Sequence, residues 1–507
     1  FRIGVDVGGT NTDAVLLRDR EVLATHKAPT TPDVGSGIVA AIADVLARAQ
    51  VPAASVAVVT IGTTHFTNAF VELAAPATLA VRPLIAWPAT LREAVHAHTE
   101  IVAGGFNYDG RAIAPLDPAE VRRAAREFRA RGCEAIAISS VFAPVNGAQE
   151  EEAARILAEE LPGVHVALSA QVGRIGMIER ENATVMNAAL LPMAGRVVDS
   201  FRRALADLGV HAPFYVSQND GTLLDPSAVA RYPVLTFASG PTNSMRGAAF
   251  LSGAADSLVM DVGGTTADVG ALVQGFPRES SVAVDIGGVR TNFRMPDLLS
   301  IGLGGGSLVT TDGGRVRVGP RSVGYGITTE ALVFGGSTLT ATDVAVAAGY
   351  ADIGDRDRVA KLDRALVNAA VDEIHRLAED ALDRMKTSAA PVRVVLVGGG
   401  SALIDRDLRG ASEVVVPANA GVANAIGAAI AQVGGMVDRV YSYERDGRDG
   451  ALAAARADAI GQAVAAGAVP DSVEITEVEE LPVQYLPGGA VRVRVKAVGD
   501  LRIGASA

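Results

Sequence analysis

Two short stretches of this chain carry the same residue types in the same order, and those types suit one kind of chemistry. Asp6-Val7-Gly8-Gly9-Thr10-Asn11-Thr12-Asp13 returns as Asp261-Val262-Gly263-Gly264-Thr265-Thr266-Ala267-Asp268, identical at six of eight positions. Paired glycines let the backbone turn sharply and bring main-chain N–H groups against an anion, where a Cβ would stand in the way. Thr10 and Thr265 add a hydroxyl, and Asp6 and Asp261 put a carboxylate at the end of an apolar run. Such a carboxylate suits Mg2+, which takes few protein oxygens and keeps much of its water. The expectation is a pair of phosphate-gripping hairpins. Gly8, Gly9, Thr10, Gly263, Gly264 and Thr265 are expected to take the phosphates of a nucleotide, with Asp6 and Asp261 as the candidate catalytic carboxylates and metal ligands. One such turn after a strand would be ordinary; the repeat makes it informative.

Turns of this kind need buried strands to hold them. Ile3–Val7 and Leu258–Val262 are rich in β-branched residues and bounded by glycine, which reads as strand. A third apolar run, Val392–Val397, leads into Gly398-Gly399-Gly400-Ser401, where glycines let a ribose or base lie on the main chain. Gly398, Gly399 and Gly400 are therefore assigned to the adenosine side, and Asp13 and Asp268 to bracing the hairpins. Residues 418–430 read as a helix of small residues, which permits close packing; a hinge-side helix and a plain core helix both fit.

The order of these elements resembles the actin, sugar-kinase and heat-shock-chaperone ATPase superfamily. Within it the chain looks like a hydantoinase/oxoprolinase A-type protein. That narrower resemblance rests on Thr60-Ile61-Gly62-Thr63-Thr64-His65-Phe66-Thr67-Asn68-Ala69, on Glu179-Arg180…Thr184…Asn187-Ala188, on Ser239-Gly240-Pro241, on Ile301–Ser307 and on Thr342-Asp343. It spans about residues 1 to 435. Two stretches depart from it. Thr242-Asn243-Ser244 stands where the family usually has small residues, and Arg321–Ile327 stands where it commonly has a Gly-Pro-rich, cysteine-containing stretch. The chain is also short for the family, and the expectation is a second subunit that is separate and not fused.

The resemblance implies an α/β fold of two ribonuclease-H-like lobes with an inserted α/β region and a small C-terminal α+β appendage. The expected division is 1–75 for the first half of the N-terminal lobe, 76–210 for the inserted region, 211–435 for the second lobe and 436–507 for the appendage. Strands are expected near 2–7, 13–17 and 22–27, with helices near 36–49, 117–131, 179–208, 357–386 and 450–467. Asp117-Pro118-Ala119-Glu120 has a helix-start pattern, with Asp as N-cap, Pro at N1 and Glu at N3. The appendage is expected to serve packing or homo-oligomerisation.

Bulk properties exclude several classes. The 507 residues are 49% hydrophobic and only 4% aromatic, so the core must be aliphatic. A net charge of −12 without a dense Lys/Arg run argues against a nucleic-acid surface. No uninterrupted run of eighteen apolar residues occurs, so no membrane span is expected. Phe1 stands directly before a strand, so no leader is expected, and Cys133, alone of its kind, reads as a small buried hydrophobe. A cytoplasmic location is the expectation.

From the resemblance, ATP cleavage is expected to open a cyclic amide (hydantoin, oxoproline or lactam) or to carboxylate a ketone, by phosphorylating a carbonyl-derived oxygen. An amide oxygen is a poor leaving group, and its phosphate makes the neighbouring carbon attackable. A separate B-type subunit or other protein partner would complete the reaction. For the acceptor, the candidates are Thr63, Thr64, Asn68, Glu179 and Arg180, with His65 and Asp297 in catalytic roles and Gly304 and Gly305 near the nucleotide. Each has a plainer reading. His65 could be a packing residue, and Glu179-Arg180-Glu181 could be a surface ion-pair cluster. A small-molecule kinase and a chaperone-like or reactivating ATPase of the same superfamily are the alternatives.

Overall fold

In the computed structural model, the described residues are 1–8, 11–30, 34–63, 66, 77–81, 98–280, 284–286, 288–405, 407–483 and 489–503. The first sheet begins with Arg2–Val7, which pairs antiparallel with Asn11–Arg18, itself antiparallel to Glu21–Pro29. On its other side Arg2–Val7 pairs parallel with Val58–Thr63, and that strand pairs parallel with Phe214–Ser217. A short strand, Leu223–Leu224, ends the sheet.

The second sheet repeats this plan. Ser257–Val262 is antiparallel to Ala267–Val273, which is antiparallel to Phe276–Pro277; Ser257–Val262 is parallel to Val392–Val397, which is parallel to Ala411–Val415. Strand order and strand direction are thus the same in both sheets. The mixed α/β architecture expected from the sequence is present, and the repeat extends from eight residues to five strands.

Each sheet carries its own aliphatic core. Ile3, Val5, Ile38, Ile42, Ile61 and Phe201 are buried in the first, and Met260, Val269, Val344, Ile374 and Leu396 in the second. Helix Val34–Ala49 lies on the first sheet; helix Arg364–Met385 packs in the second. The latter starts seven residues later than the expected 357. Asp363 caps it by accepting Ala365 N–H at 2.9 Å, and Arg356–Arg358 form a separate 3-10 turn. A local N-cap outcompetes continuation of the helix.

Between Val58–Thr63 and Phe214–Ser217 of the first sheet, His98–Val102, Ala77–Val81, Ala135–Ser140 and His165–Leu168 form an all-parallel sheet in that order. Asp117 caps helix Pro118–Ala130 as expected, accepting Ala119 N–H at 2.8 Å. Glu120 departs from a capping box: it accepts Ala103 N–H at 3.1 Å and ties the helix start to the end of a neighbouring strand. Cys133 is half-buried, not buried, and burial pushes its thiol up. Helix Met177–Asp207 leads out of this region.

At the C-terminal end, Val433–Ser442, Ala490–Gly499 and Glu474–Pro482 form an antiparallel sheet in that order. Helix Arg448–Ala465 lies on it through Ala451, Ala455, Ala459 and Ala463, one turn apart on one face. Among the described residues no helix is long and apolar enough to cross a membrane.

Candidate nucleotide site

The two hairpins turn alike. Gly8 N–H donates to Asn11 O and Gly263 N–H donates to Thr266 O, both at 2.9 Å. Register sets Asp6 opposite Asp13 and Asp261 opposite Asp268. Both turns border one cleft of 410 Å3, within the range of small-ligand pockets. Gly8, Asn11 and Asp13 line it from the first sheet; Asp261, Gly263, Gly264 and Thr265 line it from the second.

Gly398, Gly399 and Gly400 line the same cleft. Gly398, at φ +87°, lies so close to the second hairpin that a Cβ would stand 2.2 Å from Asp261 Oδ1. Gly400 N–H donates to Val262 O at 2.7 Å, which pins the turn beside that strand end. Gly305 also lines the cleft, while Gly304 lies behind it, where a Cβ would be 2.6 Å from Thr265 N. Gly305 N–H and Gly306 N–H donate to Gly263 O and Gly264 O at 3.0 and 2.7 Å, so this loop backs the second turn.

Two helices hold the carboxylates. Asn243, in helix Ser239–Ser252, donates to Asp6 Oδ1 at 3.3 Å, and the next residue, Ser244, hydrogen-bonds Asp261. Asn424, in helix Ala423–Ala429, donates to Asp6 Oδ2 at 3.1 Å and to Asp13 Oδ2 at 2.8 Å. The helices touch backbone to backbone. A Cβ on Gly247 would stand 1.9 Å from Ala423 O, and one on Gly427 would stand 1.8 Å from Asn243 O. Only glycine permits that approach.

Burial pushes the Asp6 carboxyl up to about 6, helped by the Asp13 carboxylate, although Asn243 and Asn424 pull the other way. Burial likewise pushes Asp261 up to about 6 against its bond from Ser244. Lys27 is the basic side chain on the cleft wall; its Nζ donates to Asp13 at 2.9 Å and to Gly421 O at 3.1 Å. Asp268, half-buried, accepts from Ser300 Oγ and is pushed up by desolvation. Desolvated carboxylates in this state favour an added cation. Among the described residues no group of three His, Cys, Asp or Glu forms a metal cage. The donor set therefore fits a largely hydrated divalent ion that takes its other ligands from water and phosphate.

The structure distributes the remaining sequence candidates as follows. Asp297 is paired with Arg278 at 2.6 Å and is not on the cleft wall. Arg180, only 1% exposed, is not a surface group: it donates to Arg174 O at 3.1 Å and Ser169 Oγ at 3.0 Å, bracing the middle region. Glu179 lies 3.5 Å from Arg290. Thr63 is buried, its N–H donating to Ser239 Oγ at 3.2 Å. Gly9, Thr10, Thr64, His65 and Asn68 lie outside the described residues.

Sequence reasoning missed Lys27, Asn424, Asn243 and Ser244 as site residues. The last two were visible as polar residues in positions the resembled family keeps small, and Asn424 as an amide within a small-residue helix. For Lys27 the sequence carries no signal. Tyr325, Ile327, Phe334 and Ile353 add an apolar wall to the cleft, with Tyr325 85% exposed.

Two family models match the chain: "Hydantoinase/oxoprolinase N-terminal region" over residues 2–161 and "Hydantoinase/oxoprolinase" over residues 180–356. Caprolactamase subunit alpha of Pseudomonas jessenii is 29% identical over 383 residues, which is 69% of this chain and 54% of that subunit. The acetophenone carboxylase gamma subunit of Aromatoleum aromaticum is 30% identical over 253 residues, 48% of this chain and 34% of that subunit. The chain thus spans about half or less of the length of these relatives. The crystal structure of ATP-dependent caprolactamase from Pseudomonas jessenii superposes with a TM-score of 0.79 at 21% identity, covering 99% of this chain and 88% of that one, and shows a shared fold. With both models matched, and together more than half of its length, the chain belongs to the hydantoinase/oxoprolinase family.

Proposed function

We propose that this chain is the ATP-cleaving component of an ATP-dependent cyclic-amide hydrolase. The observation that carries the reading is the pair of hairpins with one turn geometry and one register beside a shared cleft, each preceded by a strand-end aspartate, Asp6 buried and Asp261 half-buried. In this reading the two sheets are the cores of ribonuclease-H-like lobes and the four-part division of the chain holds. ATP lies in the cleft with its phosphates on the glycine turns and its base toward Tyr325, Phe334 and Ile353. Gly398–Gly400 take the adenosine side. Asp6 and Asp261 would hold Mg2+ through its water shell, and the ion would neutralise charge on the phosphates when bound. Lys27 stands at the cleft wall as a further phosphate contact.

The acceptor is a cyclic amide. Its carbonyl oxygen attacks the γ-phosphorus, the bond from that phosphorus to the β,γ-bridging oxygen breaks, and ADP leaves. Water then adds to the activated carbon, the ring C–N bond breaks with the nitrogen taking up a proton, and the acyl phosphate left behind is cleaved by a second water to the carboxylate and inorganic phosphate. The chain's share is positioning and charge neutralisation at the phosphoryl group. A caprolactamase subunit among the relatives supports the amide acceptor, and relatives named as subunits support a separate partner that completes ring opening. The carboxylase relative supports a second reading, in which the phosphorylated oxygen is that of a ketone's enol form.

Phosphate release from MgATP should be measured with hydantoins, lactams, oxoproline and ketones, with and without the candidate second subunit. The expected result is cleavage stimulated by one cyclic amide, with ring-opened product only when both chains are mixed. Dependence on a ketone and bicarbonate selects the second reading. A stable phosphorylated product formed without a partner indicates a kinase; slow cleavage that answers only to a protein client indicates a chaperone-like ATPase. No heat on adding MgATP overturns the nucleotide site itself.

A further inference from the structure

A second cavity, of 350 Å3, lies where four parts of the chain meet, and it shares no lining residue with the nucleotide cleft. Gln171 and Arg174 reach it from the middle region, Gln218 from the end of the first sheet, Arg294 from the segment before the glycine loop, and Asp438 and Gln462 from the C-terminal unit. We propose that it is a binding site for a small organic carboxylate.

The charge around it is unevenly shared. Five cations, Arg174, Arg294, Arg492, Arg494 and Lys496, lie among five carboxylates, Asp220, Glu279, Asp438, Glu477 and Glu479, of which the last two pair with Arg494 alone. Glu279 serves Arg174 at 2.8 Å, Lys496 at 3.5 Å and also Arg494; Asp220 serves Lys496 at 3.2 Å and Arg294 at 3.3 Å. Asp438, the one carboxylate on the cavity wall, is taken by both arms of Arg492 at 2.6 and 2.7 Å. Glu477 and Glu479 approach Arg494 at 3.4 and 3.5 Å, and neither pairs with the cavity-lining Arg174 or Arg294. Arg439, also on the wall, has its own partner, Asp458, at 3.3 Å.

The free hydrogen-bonding capacity points the same way. Arg174 Nε is buried without a hydrogen-bond acceptor, its nearest carboxylate oxygen being Asp438 Oδ2 at 3.7 Å. Gln171 spends its carbonyl on the Tyr232 hydroxyl and Gln462 spends its carbonyl on Met436 N–H, which leaves both amide NH2 groups as donors. A donor-rich, cation-rich wall calls for an acceptor-rich anion, and planar guanidinium groups match a carboxylate. Leu235, Phe293 and Met436 complete the wall and suit an aliphatic body behind the charged group, which inorganic phosphate lacks.

The test is calorimetric titration of the whole chain with glutarate, its neutral isostere glutaramide, and inorganic phosphate, at matched ionic strength. Saturable binding of glutarate, none of glutaramide, and an affinity loss of about tenfold or more in Arg294→Gln is the expected pattern, since a charge-assisted bond is removed. A cooperative melt establishes that Arg294→Gln is folded; should it fail to fold, Gln171→Leu, changed at an exposed position, takes its place with the same expectation. Absence of saturable glutarate binding, equal binding of glutaramide, binding of phosphate alone, or unchanged affinity in the folded variant overturns the proposal.

Discussion

Asn243 and Ser244 are consecutive residues of one helix, and each hydrogen-bonds the aspartate of a different hairpin, Asp6 and Asp261. A single turn of helix Ser239–Ser252 therefore sets the spacing of the two carboxylates, which come from strands in separate sheets. Asn243→Ala leaves Asp6 with Asn424 alone. We expect MgATP affinity to fall about tenfold, the worth of one hydrogen bond to a charged group, as read by calorimetry.

Asp261→Asn separates function from stability. A carboxyl raised from 3.8 to about 6 keeps its proton more tightly folded than unfolded, so the fold loses stability as pH rises through that window. Removing the charge abolishes the loss. The nucleotide-free variant should be more stable at pH 8 by on the order of 1–2 kcal/mol in chemical denaturation, while MgATP cleavage falls by at least about a hundredfold.

Gly427→Ala tests the helix contact. The added methyl meets the Asn243 carbonyl, and main chain cannot rotate away as a side chain can. The expected cost is about 3 kcal/mol in a thermal or urea melt, with weaker nucleotide binding because Asn243 and Asn424 both move. A melt unchanged from the parent would show that the two helices are not packed as described.

Acid sensitivity should come from the C-terminal junction. Burial, the largest single effect, would raise the Asp220 and Glu279 carboxyls; Lys496 and Arg294 with the Thr222 hydrogen bonds at Asp220, and Lys496, Arg494 and Arg294 at Glu279, together outweigh it and hold both below their ordinary values. Carboxyls depressed in this way contribute stability that is complete above the unfolded values of 3.8 and 4.5 and is lost as pH falls below them. Asp220→Asn should cost about 3–5 kcal/mol at pH 7, since Lys496 and Arg294 lose a buried counter-charge, and should flatten the acid limb of the stability profile.

The sequence by itself determined the hairpins, because glycine pairs, a strand-end aspartate and flanking β-branched runs are local signals that act within a few residues. It also determined the family and most helix and strand positions, including the Asp117 cap. Only the tertiary structure decided which polar residues meet the carboxylates. Asn424 lies 418 residues from Asp6, and Lys27 meets Asp13 across paired strands. It also decided that Asp297 pairs with Arg278 and that Arg180 is a buried brace. Partners distant in the chain are chosen by packing, and close backbone contact at Gly247 and Gly427 is what aligns them here.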